Sequence, residues 1–317
     1  MTSLRKLGSS GLEVFPLSLG GNVFGWTADE ATSFAILDRF VDLGFDLIDT
    51  ANSYSTWVPG HKGGESEAII GKWLAKSGKR ERVVLATKVG MAVEGESGLK
   101  RGQIVKHVEQ SLKRLRTDRI DLYQTHKDDP ETPVDETLEA LGTLVKSGKV
   151  RAIGASQYEP ARLRESLEES RRLAIPRYET LQPEYNLYDR AQFERDYQGI
   201  ALEHGLAVIP FFGLAKGFLS GKYRKKSDIE GRPRAAGLKK YFEGDRGMRI
   251  LAALDGVGAR VGATPAQVSL AWSMAQPSIT APIVSATSVA QLDDIAGAAR
   301  VKLDRQALDE LDRASKP

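Results

Sequence analysis

Short apolar segments alternate with amphipathic segments along most of this 317-residue chain, and this alternation constrains the fold more than any other feature. Most of the apolar segments are rich in leucine or β-branched residues and are too short for helices, so they predict strands. Strands that alternate with helices indicate a parallel sheet. Eight strands are predicted, at Pro16–Leu19, Phe45–Asp49, Val83–Lys88, Leu122–His126, Val150–Ala155, Tyr178–Leu181, Leu206–Phe211 and Ala281–Val284.

The segments between these strands show the periodicity of helices. Thr264 followed by Pro265 predicts a helix N-cap with proline in the first turn. Ser147 followed by Gly148 predicts a helix end directly before the next strand. Further helices are predicted at Asp29–Leu43, Glu65–Ala75, Arg101–Leu115, Val134–Ser147 and Pro160–Leu173.

Eight strand–helix units predict an α/β fold of the (β/α)8 TIM-barrel type, as a single domain over residues 1–317. A doubly wound sheet with extra strands is the alternative. Two segments interrupt the alternation: a short N-terminal β-hairpin around Ser9–Val14 and a long loop after strand 7, Gly213–Gly247. That loop is basic, and its charges include Arg232 and Arg234. Because long loops in compact domains are usually functional or disordered, we expect it to order when a nucleotide binds.

Composition excludes several classes of function. The chain has no cysteine, which rules out disulfides, thiolate metal sites and a cysteine nucleophile. The four histidines are scattered, so no metal site is predicted. A net charge of +3 gives no reason to expect nucleic acid as a partner. With no signal segment and no apolar run of bilayer length, we expect a cytoplasmic protein without a membrane partner; the oligomeric state stays open.

Ionisable residues follow successive predicted strands, where barrel active sites are built. Asp49 ends the second strand and Tyr54 lies in the loop behind it, while Lys88 and His126 end the third and fourth strands. A buried lysine beside a tyrosine is expected to lower the tyrosine pKa from about 10. The set therefore predicts a general acid that protonates a carbonyl oxygen while a cofactor delivers hydride to the carbon. No G-x-G-x-x-G motif between a strand and a helix is present, so a dinucleotide would bind without a Rossmann unit.

At this level of detail the sequence closely resembles the aldo-keto reductase family, over nearly the whole chain. The resemblance is carried by segments in a fixed order and spacing: Gly44–Tyr54, Gly64–Glu67, Ala86–Gly90, Asp121–His126, Gly154–Gln157, Gln182–Asn186 and Gly217–Lys222. It implies a barrel that reduces an aldehyde or ketone to an alcohol, reversibly, with a nicotinamide dinucleotide bound in an extended pose. It also implies Tyr54 as the general acid, assisted by Lys88, Asp49 and His126.

The resemblance further implies which residues hold the cofactor and the small-molecule carbonyl or alcohol substrate. Ser156, Gln157 and Gln182 match positions that hold the nicotinamide carboxamide, and Phe211 matches a position that stacks on its ring. The phosphates and the adenosine end are expected at Gly213, Leu214, Lys216, Gly217, Lys222, Ser285, Thr287, Ser288, Gln291 and Asp294. The substrate mouth is expected at Asn22, Phe24, Trp26 and Trp57.

The segment after the eighth strand departs from the family pattern. Ser285 and Gln291 are neutral, whereas many NADPH-dependent members carry Lys or Arg near these positions. Other branches hold the 2′-phosphate with hydroxyls and a helix N-terminus, so NADP(H) is the favoured cofactor and NAD(H) or dual use is the alternative. Asp294 is followed by Ile295, where the family usually has Glu-Asn, which weakens the adenine-side assignment.

Two other functions are compatible with the barrel. One is a non-catalytic, nucleotide-sensing regulatory subunit, since some relatives in the family associate with channels. The other is a lyase that forms a Schiff base on Lys88 and needs no nicotinamide.

Overall fold

A computed structural model describes residues 3–231 and 235–316. The chain begins with an antiparallel hairpin whose strands are β1 (Arg5–Lys6) and β2 (Glu13–Val14). Leu7, Leu12 and Val14 of this hairpin are buried together with inward-facing residues of the barrel, among them Leu47 and Leu122. The hairpin therefore closes the end of the barrel at which its strands begin, and it leaves the opposite end for a site.

Eight parallel strands form the barrel, which confirms the predicted fold class. They are β3 (Ser18–Gly20), β4 (Leu47–Asp49), β5 (Val84–Val89), β6 (Ile120–Thr125), β7 (Val150–Ser156), β8 (Tyr178–Gln182), β9 (Ala207–Val208) and β10 (Ile283–Val284). From β3 to β9 each strand pairs with the next one in sequence, and β10 pairs with β3. Between β9 and β10 the ring is closed by backbone bonds, in which Thr280 N donates to Val208 O at 2.7 Å and Ile283 N donates to Pro210 O at 2.8 Å.

Helices surround the strands, and both predicted helix ends are present: Thr264 is an N-cap, and the fourth helix ends at Ser147 and Gly148, the latter with a positive φ of 77°. Asp29 caps the first helix by accepting from Thr32 N, and Thr264 and Gln267 form a capping box at the helix that begins at Pro265. The helices are α1 (Glu30–Asp42), α2 (Glu65–Ser77), α3 (Arg101–Leu115), α4 (Val134–Lys146), α5 (Pro160–Leu173), α6 (Gln198–His204), α7 (Ala235–Leu238), α8 (Arg246–Val261), α9 (Pro265–Ala275), α10 (Val289–Ala296) and α11 (Arg305–Ser315). A π-helical turn, Phe193–Tyr197, precedes α6.

The predicted long segment after β9 is present, and its described parts contact the barrel. Its described parts form short helical turns at 215–220, 226–229 and 239–242 in addition to α7. Asp189 accepts hydrogen bonds from Lys240 at 2.7 Å and from Tyr241 at 2.9 Å, and the Tyr188 hydroxyl donates to Lys240 O. These bonds connect the described part of the segment to the rest of the barrel. The expectation that the segment orders when a nucleotide binds stays a prediction. Arg232 and Arg234 lie outside the described residues.

Within residues 3–231 and 235–316, no helix combines the length and the apolar character needed to cross a bilayer.

Candidate active site

A cavity of about 820 Å³ lies at the end of the barrel where the strands finish. Its walls include Tyr54 and His126 as well as Asp294 and Ile295 of helix α10. This volume falls in the upper part of the range of roughly 300–1,000 Å³ that is usual for small-molecule sites. Across the described part of the chain, no group of three or more acidic or histidine side chains is arranged to hold a metal ion.

Lys88 connects Asp49 to Tyr54 at the inner edge of this cavity. Its Nζ lies 2.6 Å from Asp49 Oδ2, 2.9 Å from the Tyr54 hydroxyl and 2.9 Å from the carbonyl oxygen of Thr50. The side chains of Lys88 and Asp49 are 0% and 1% exposed. Burial lowers the Lys88 pKa from its ordinary value, and the Asp49 carboxylate opposes this shift. Three acceptors match the three N–H groups of an ammonium, so the geometry favours a charged Lys88. The sequence therefore placed these three residues together correctly.

The pKa of Tyr54 differs from the expectation. Burial raises the Tyr54 pKa well above 10, and the Asp49 carboxylate, which accepts from the Tyr54 hydroxyl at 3.3 Å, raises it further. The positive charge of Lys88 does not reverse this shift because Asp49 neutralises it at 2.6 Å. The lowered tyrosine pKa predicted from the sequence is thus wrong for the free site, and Tyr54 is a protonated phenol throughout the neutral range.

His126 completes this group from the end of β6. Its ring centroid lies 5.7 Å from that of Tyr54 in an edge-to-face arrangement. Burial, with the nearby Lys88 charge, lowers the His126 pKa well below 6.5, so the imidazole is neutral. The Ser53 hydroxyl lies 3.3 Å from His126 Nδ1. A serine that donates to Nδ1 leaves the imidazole proton on Nε2, the tautomer that can donate to a carbonyl oxygen.

Two buried amides contact the second oxygen of Asp49. Gln182 Nε2 donates to Asp49 Oδ1 at 3.0 Å, and Gln124 Nε2 donates to the same atom at 3.3 Å. Together with Lys88 and Tyr54 on Oδ2, four donors surround the carboxylate. Both oxygens of the Asp49 carboxylate are therefore held by hydrogen bonds.

The residues expected at the nicotinamide all line the cavity. These are Ser156, Gln157, Gln182 and Phe211. Ser156 Oγ donates to the carbonyl oxygen of Gln182 at 2.8 Å, and Gln157 Nε2 donates to the carbonyl oxygen of His126 at 3.0 Å. Gln157 has a positive φ of 54°. This left-handed conformation is uncommon for residues other than glycine and is found at sites that the surrounding fold constrains.

The segment after β9 lines the same cavity with Gly213, Leu214, Lys216, Gly217 and Lys222. Its backbone is in the left-handed region at Ala215, Lys216 and Gly217. Lys216 Nζ lies 4.8 Å from the ring centroid of Phe212, and Lys222 Nζ lies 5.0 Å from that of Tyr223. Two cations therefore border the cavity along this segment.

The segment after β10 contributes uncharged side chains and one carboxylate. Ser285 Oγ donates to Asn22 Oδ1 at 2.6 Å, and Thr287 donates from both its N–H and its hydroxyl to Gln291 Oε1 at 3.0 Å. Ser288 differs from these: it is the N-cap of α10, accepts from Gln291 N, and is not among the described residues that line the cavity.

Asp294 lines the cavity but is engaged by helix α9. Its Oδ1 accepts from Thr264 Oγ1 at 2.9 Å and from Gln267 Nε2 at 3.0 Å. The carboxylate therefore joins the start of α9 to α10 at this end of the cavity.

Of the four residues expected at the substrate mouth, two line the cavity and two are not among the described lining residues. Asn22 and Trp57 line the cavity, and Trp57 is 48% exposed. Trp26 packs edge-to-face against Trp57, with 5.6 Å between ring centroids, and is not among the described residues that line the cavity. Phe24 is 0% exposed and packs in the hydrophobic core. Its burial fits a packing role and places it apart from the described cavity lining.

Sequence reasoning missed Gln124, Ser53 and Met91. Met91 lines the cavity, while the other two contact Asp49 and His126. Side chains alternate across a strand, so Gln124, two residues before His126, had to face the same way. That alternation was the available signal for Gln124; the contacts of Ser53 and Met91 depend on loop conformation.

Comparisons with known proteins agree with this barrel and site. A model of the aldo/keto reductase family matches residues 16–316. An uncharacterized oxidoreductase, YrpG, of Bacillus subtilis is 39% identical over 310 residues, which cover 95% of this chain and 92% of that protein. The aldo-keto reductase YhdN of the same organism is 33% identical over 286 residues, which cover 87% and 81%. A probable voltage-gated potassium channel subunit beta of Arabidopsis thaliana is 30% identical over 300 residues, which cover 92% and 89%.

The chain belongs to the aldo/keto reductase family. Membership implies an oxidoreductase that uses a nicotinamide cofactor and acts on small carbonyl compounds.

Proposed function

We propose that this protein reduces an aldehyde or ketone to an alcohol, reversibly, with the proton supplied by Tyr54. The observation that carries this proposal is the contact of a fully buried Lys88 with both Asp49 and the Tyr54 hydroxyl beside the cavity. A phenol with a raised pKa is protonated at neutral pH, which is the state that a proton donor needs. We also propose that residues 1–317 act as one domain.

Each residue of the group has a separate task in the proposed reaction. Tyr54 gives its proton to the carbonyl oxygen, and the Lys88 ammonium stabilises the negative charge that then develops on the tyrosine oxygen. Asp49 holds Lys88 in place. Neutral His126 donates a hydrogen bond that orients the carbonyl oxygen. A bound nicotinamide supplies the hydride.

The cavity lining fits a dinucleotide. Ser156, Gln157 and Gln182 present hydroxyl and amide groups that suit a carboxamide. Lys216 and Lys222 present cations that suit phosphates. We propose NADP(H) as the preferred cofactor, with NAD(H) or dual use as the alternative, because the lysines can pair with the additional phosphate although Ser285, Thr287 and Gln291 carry no charge.

The catalytic proposal is tested by following NADPH absorbance with a panel of aldehydes and ketones. Steady oxidation that depends on the carbonyl compound supports the reductase. Tight NADPH binding without turnover of any carbonyl compound, or of alcohols with NADP⁺, contradicts it. That result favours a nucleotide-sensing regulatory subunit, the second candidate, which is supported by the similarity to the Arabidopsis channel subunit.

The geometry argues against a Schiff-base lyase. Lys88 is 0% exposed, donates to three acceptors and is not among the described residues that line the cavity. A Schiff base requires a neutral amine that the substrate can reach. Borohydride treatment with a carbonyl substrate is expected to leave Lys88 unmodified, as mass spectrometry of the peptides would show; a trapped Lys88 adduct would contradict this.

The cofactor preference is tested with Lys222→Met and, as the control, Lys226→Met on the same segment. One charge-assisted contact contributes about 1.5–3 kcal/mol, so Lys222→Met should weaken NADPH binding roughly 10- to 100-fold and leave NADH binding unchanged. Lys226 is exposed and is not among the described lining residues, so its substitution should change neither affinity. Equal losses for both cofactors with Lys222→Met would show that Lys222 binds a phosphate that they share.

A further inference from the structure

We propose that Gln124 is a positioning residue for the proton donor, acting by fixing the carboxylate of Asp49. This inference rests on the proposed role of Tyr54. Gln124 lies on β6 and faces the barrel interior with its side chain fully buried. It touches neither Tyr54 nor Lys88 in any described hydrogen bond, so it acts through Asp49.

The amide of Gln124 is held at both of its ends. Its Nε2 donates to Asp49 Oδ1 at 3.3 Å. Its Oε1 accepts from Thr180 Oγ1 and from Gln182 Nε2, each at 3.4 Å. These acceptor contacts fix the orientation of the amide, since only the oxygen can receive them. The N–H₂ group is consequently directed at Asp49.

A neighbouring strand leaves room for this arrangement. Gly154 of β7 lies beside Gln124 in the sheet. A Cβ at Gly154 would collide with Thr180 Oγ1 and would lie 3.1 Å from Gln124 Cγ. Any larger residue at this position would displace the amide. Glycine at 154 is therefore required by the hydrogen-bonded layer of Gln124 and Thr180.

An amide is an unusual choice for the inside of a packed barrel. The inward-facing residue two positions earlier on the strand, Leu122, packs in an apolar cluster with Leu47, Ala86 and Ala152. Burying an amide costs free energy unless its groups are bonded, and an apolar side chain of the same size would fill the space without that cost. What the amide adds is a hydrogen-bond donor for Asp49.

We expect the loss of this donor to alter the surroundings of the Tyr54 hydroxyl through Asp49 and then Lys88. Asp49 would keep Gln182 as its only amide donor on Oδ1, so the carboxylate would be free to turn. Lys88 would move with it, since their atoms are 2.6 Å apart, and the 2.9 Å contact with the Tyr54 hydroxyl would lengthen. The charge that develops on the tyrosine oxygen would then be less well stabilised.

The first test compares Gln124→Met with Thr125→Val. Thr125 is the next residue on β6, is equally buried and also loses a polar group, but it bonds Gly154 O on the other side of the sheet. Gln124→Met should lower kcat for carbonyl reduction roughly five- to tenfold, with the substrate KM and the Kd for NADPH unchanged. Thr125→Val should keep kcat. Equal kcat values for the two folded variants would overturn the proposal.

The second test uses Gln124→Glu, which places two carboxyl groups on one site. Two such groups cannot both ionise freely, so one pKa is raised towards neutrality. When protonated, the new carboxyl can donate to Asp49 as the amide does; when ionised, it repels Asp49. The variant should therefore approach wild-type kcat near pH 5 and lose at least tenfold as the pH rises to 8, while wild type and Gln124→Met show no such change.

These outcomes separate the two proposals. If wild type is active and the kcat of Gln124→Glu changes with pH in the same way as that of wild type, the role of Gln124 is overturned and the proposed function is not. A wild type that turns over no carbonyl compound overturns the proposed function and, with it, the role of Gln124. If Gln124→Met does not fold, the pH profile of Gln124→Glu becomes the deciding measurement, because a glutamate side chain has nearly the same shape as glutamine.

Discussion

The buried ion pair of Asp49 and Lys88 makes a prediction about stability that needs no substrate. Both side chains are at most 1% exposed, and removing one partner of such a pair leaves an uncompensated charge that costs about 3–5 kcal/mol. With an unfolding entropy of about 2.1 cal/mol/K per residue over 317 residues, this corresponds to a fall in Tm of roughly 4–8 °C. Lys88→Met and Asp49→Leu should each show a loss of this size.

The double variant distinguishes a charge effect from a packing effect. With both charges removed, no buried charge is left unpaired, so the double variant should be more stable than the sum of the single losses predicts, by at least about 2 kcal/mol. Thermal unfolding of all four proteins, followed by circular dichroism at pH 7, gives the required cycle. Losses that simply add would refute the reasoning, because they would show that the two side chains do not depend on each other.

Further predictions concern stability away from the cavity. Burial raises the pKa of Asp46 to about 6, above an ordinary value of 3.8. The folded protein therefore holds this proton more tightly than the unfolded chain, and the contribution of Asp46 to the free energy of unfolding falls as the pH rises from about 4 through 6. Asp46→Asn should therefore be more stable than wild type at pH 7, by at most about 3 kcal/mol, with no advantage at pH 3.5 in urea unfolding. Gly71→Ala in α2 should destabilise by about 1–3 kcal/mol, because its Cβ would collide with the carbonyl oxygen of Arg114. Gly102→Ala in α3, where nothing lies within 4 Å, should instead stabilise by about 0.5–1 kcal/mol; the same sign for both glycine variants would contradict this comparison.

The barrel was predictable because its strands have a simple hydrophobic pattern. All eight predicted strands are present, although the second begins at Leu47 instead of Phe45 and the seventh is shortened to Ala207–Val208. Apolar composition shows where a buried segment lies, but hydrogen bonding to the neighbouring strand decides where the strand begins and ends. Helix ends were easier because caps are local, as at Thr264.

The candidate site was only partly predictable. Residues at the strand ends converge because the barrel brings them to one rim, which is a property of the fold. The Tyr54 pKa was not predictable, since its sign depends on whether burial and Asp49 outweigh Lys88. The burial of Phe24 was also not predictable: near an active-site strand, an aromatic residue can face the cavity or the core, and only the backbone after β3 decides between them.

The role of Tyr54 as the proton donor is tested most directly by Tyr54→Phe, with Tyr158→Phe as the control. Tyr158 is a buried tyrosine whose hydroxyl bonds Tyr178, apart from the described lining of the cavity. A general acid contributes roughly 10²- to 10⁴-fold to the rate. Tyr54→Phe should lower kcat for carbonyl reduction by this factor and keep the Kd for NADPH, whereas Tyr158→Phe should keep both. Tyr54→Phe with most of the wild-type kcat would contradict the account.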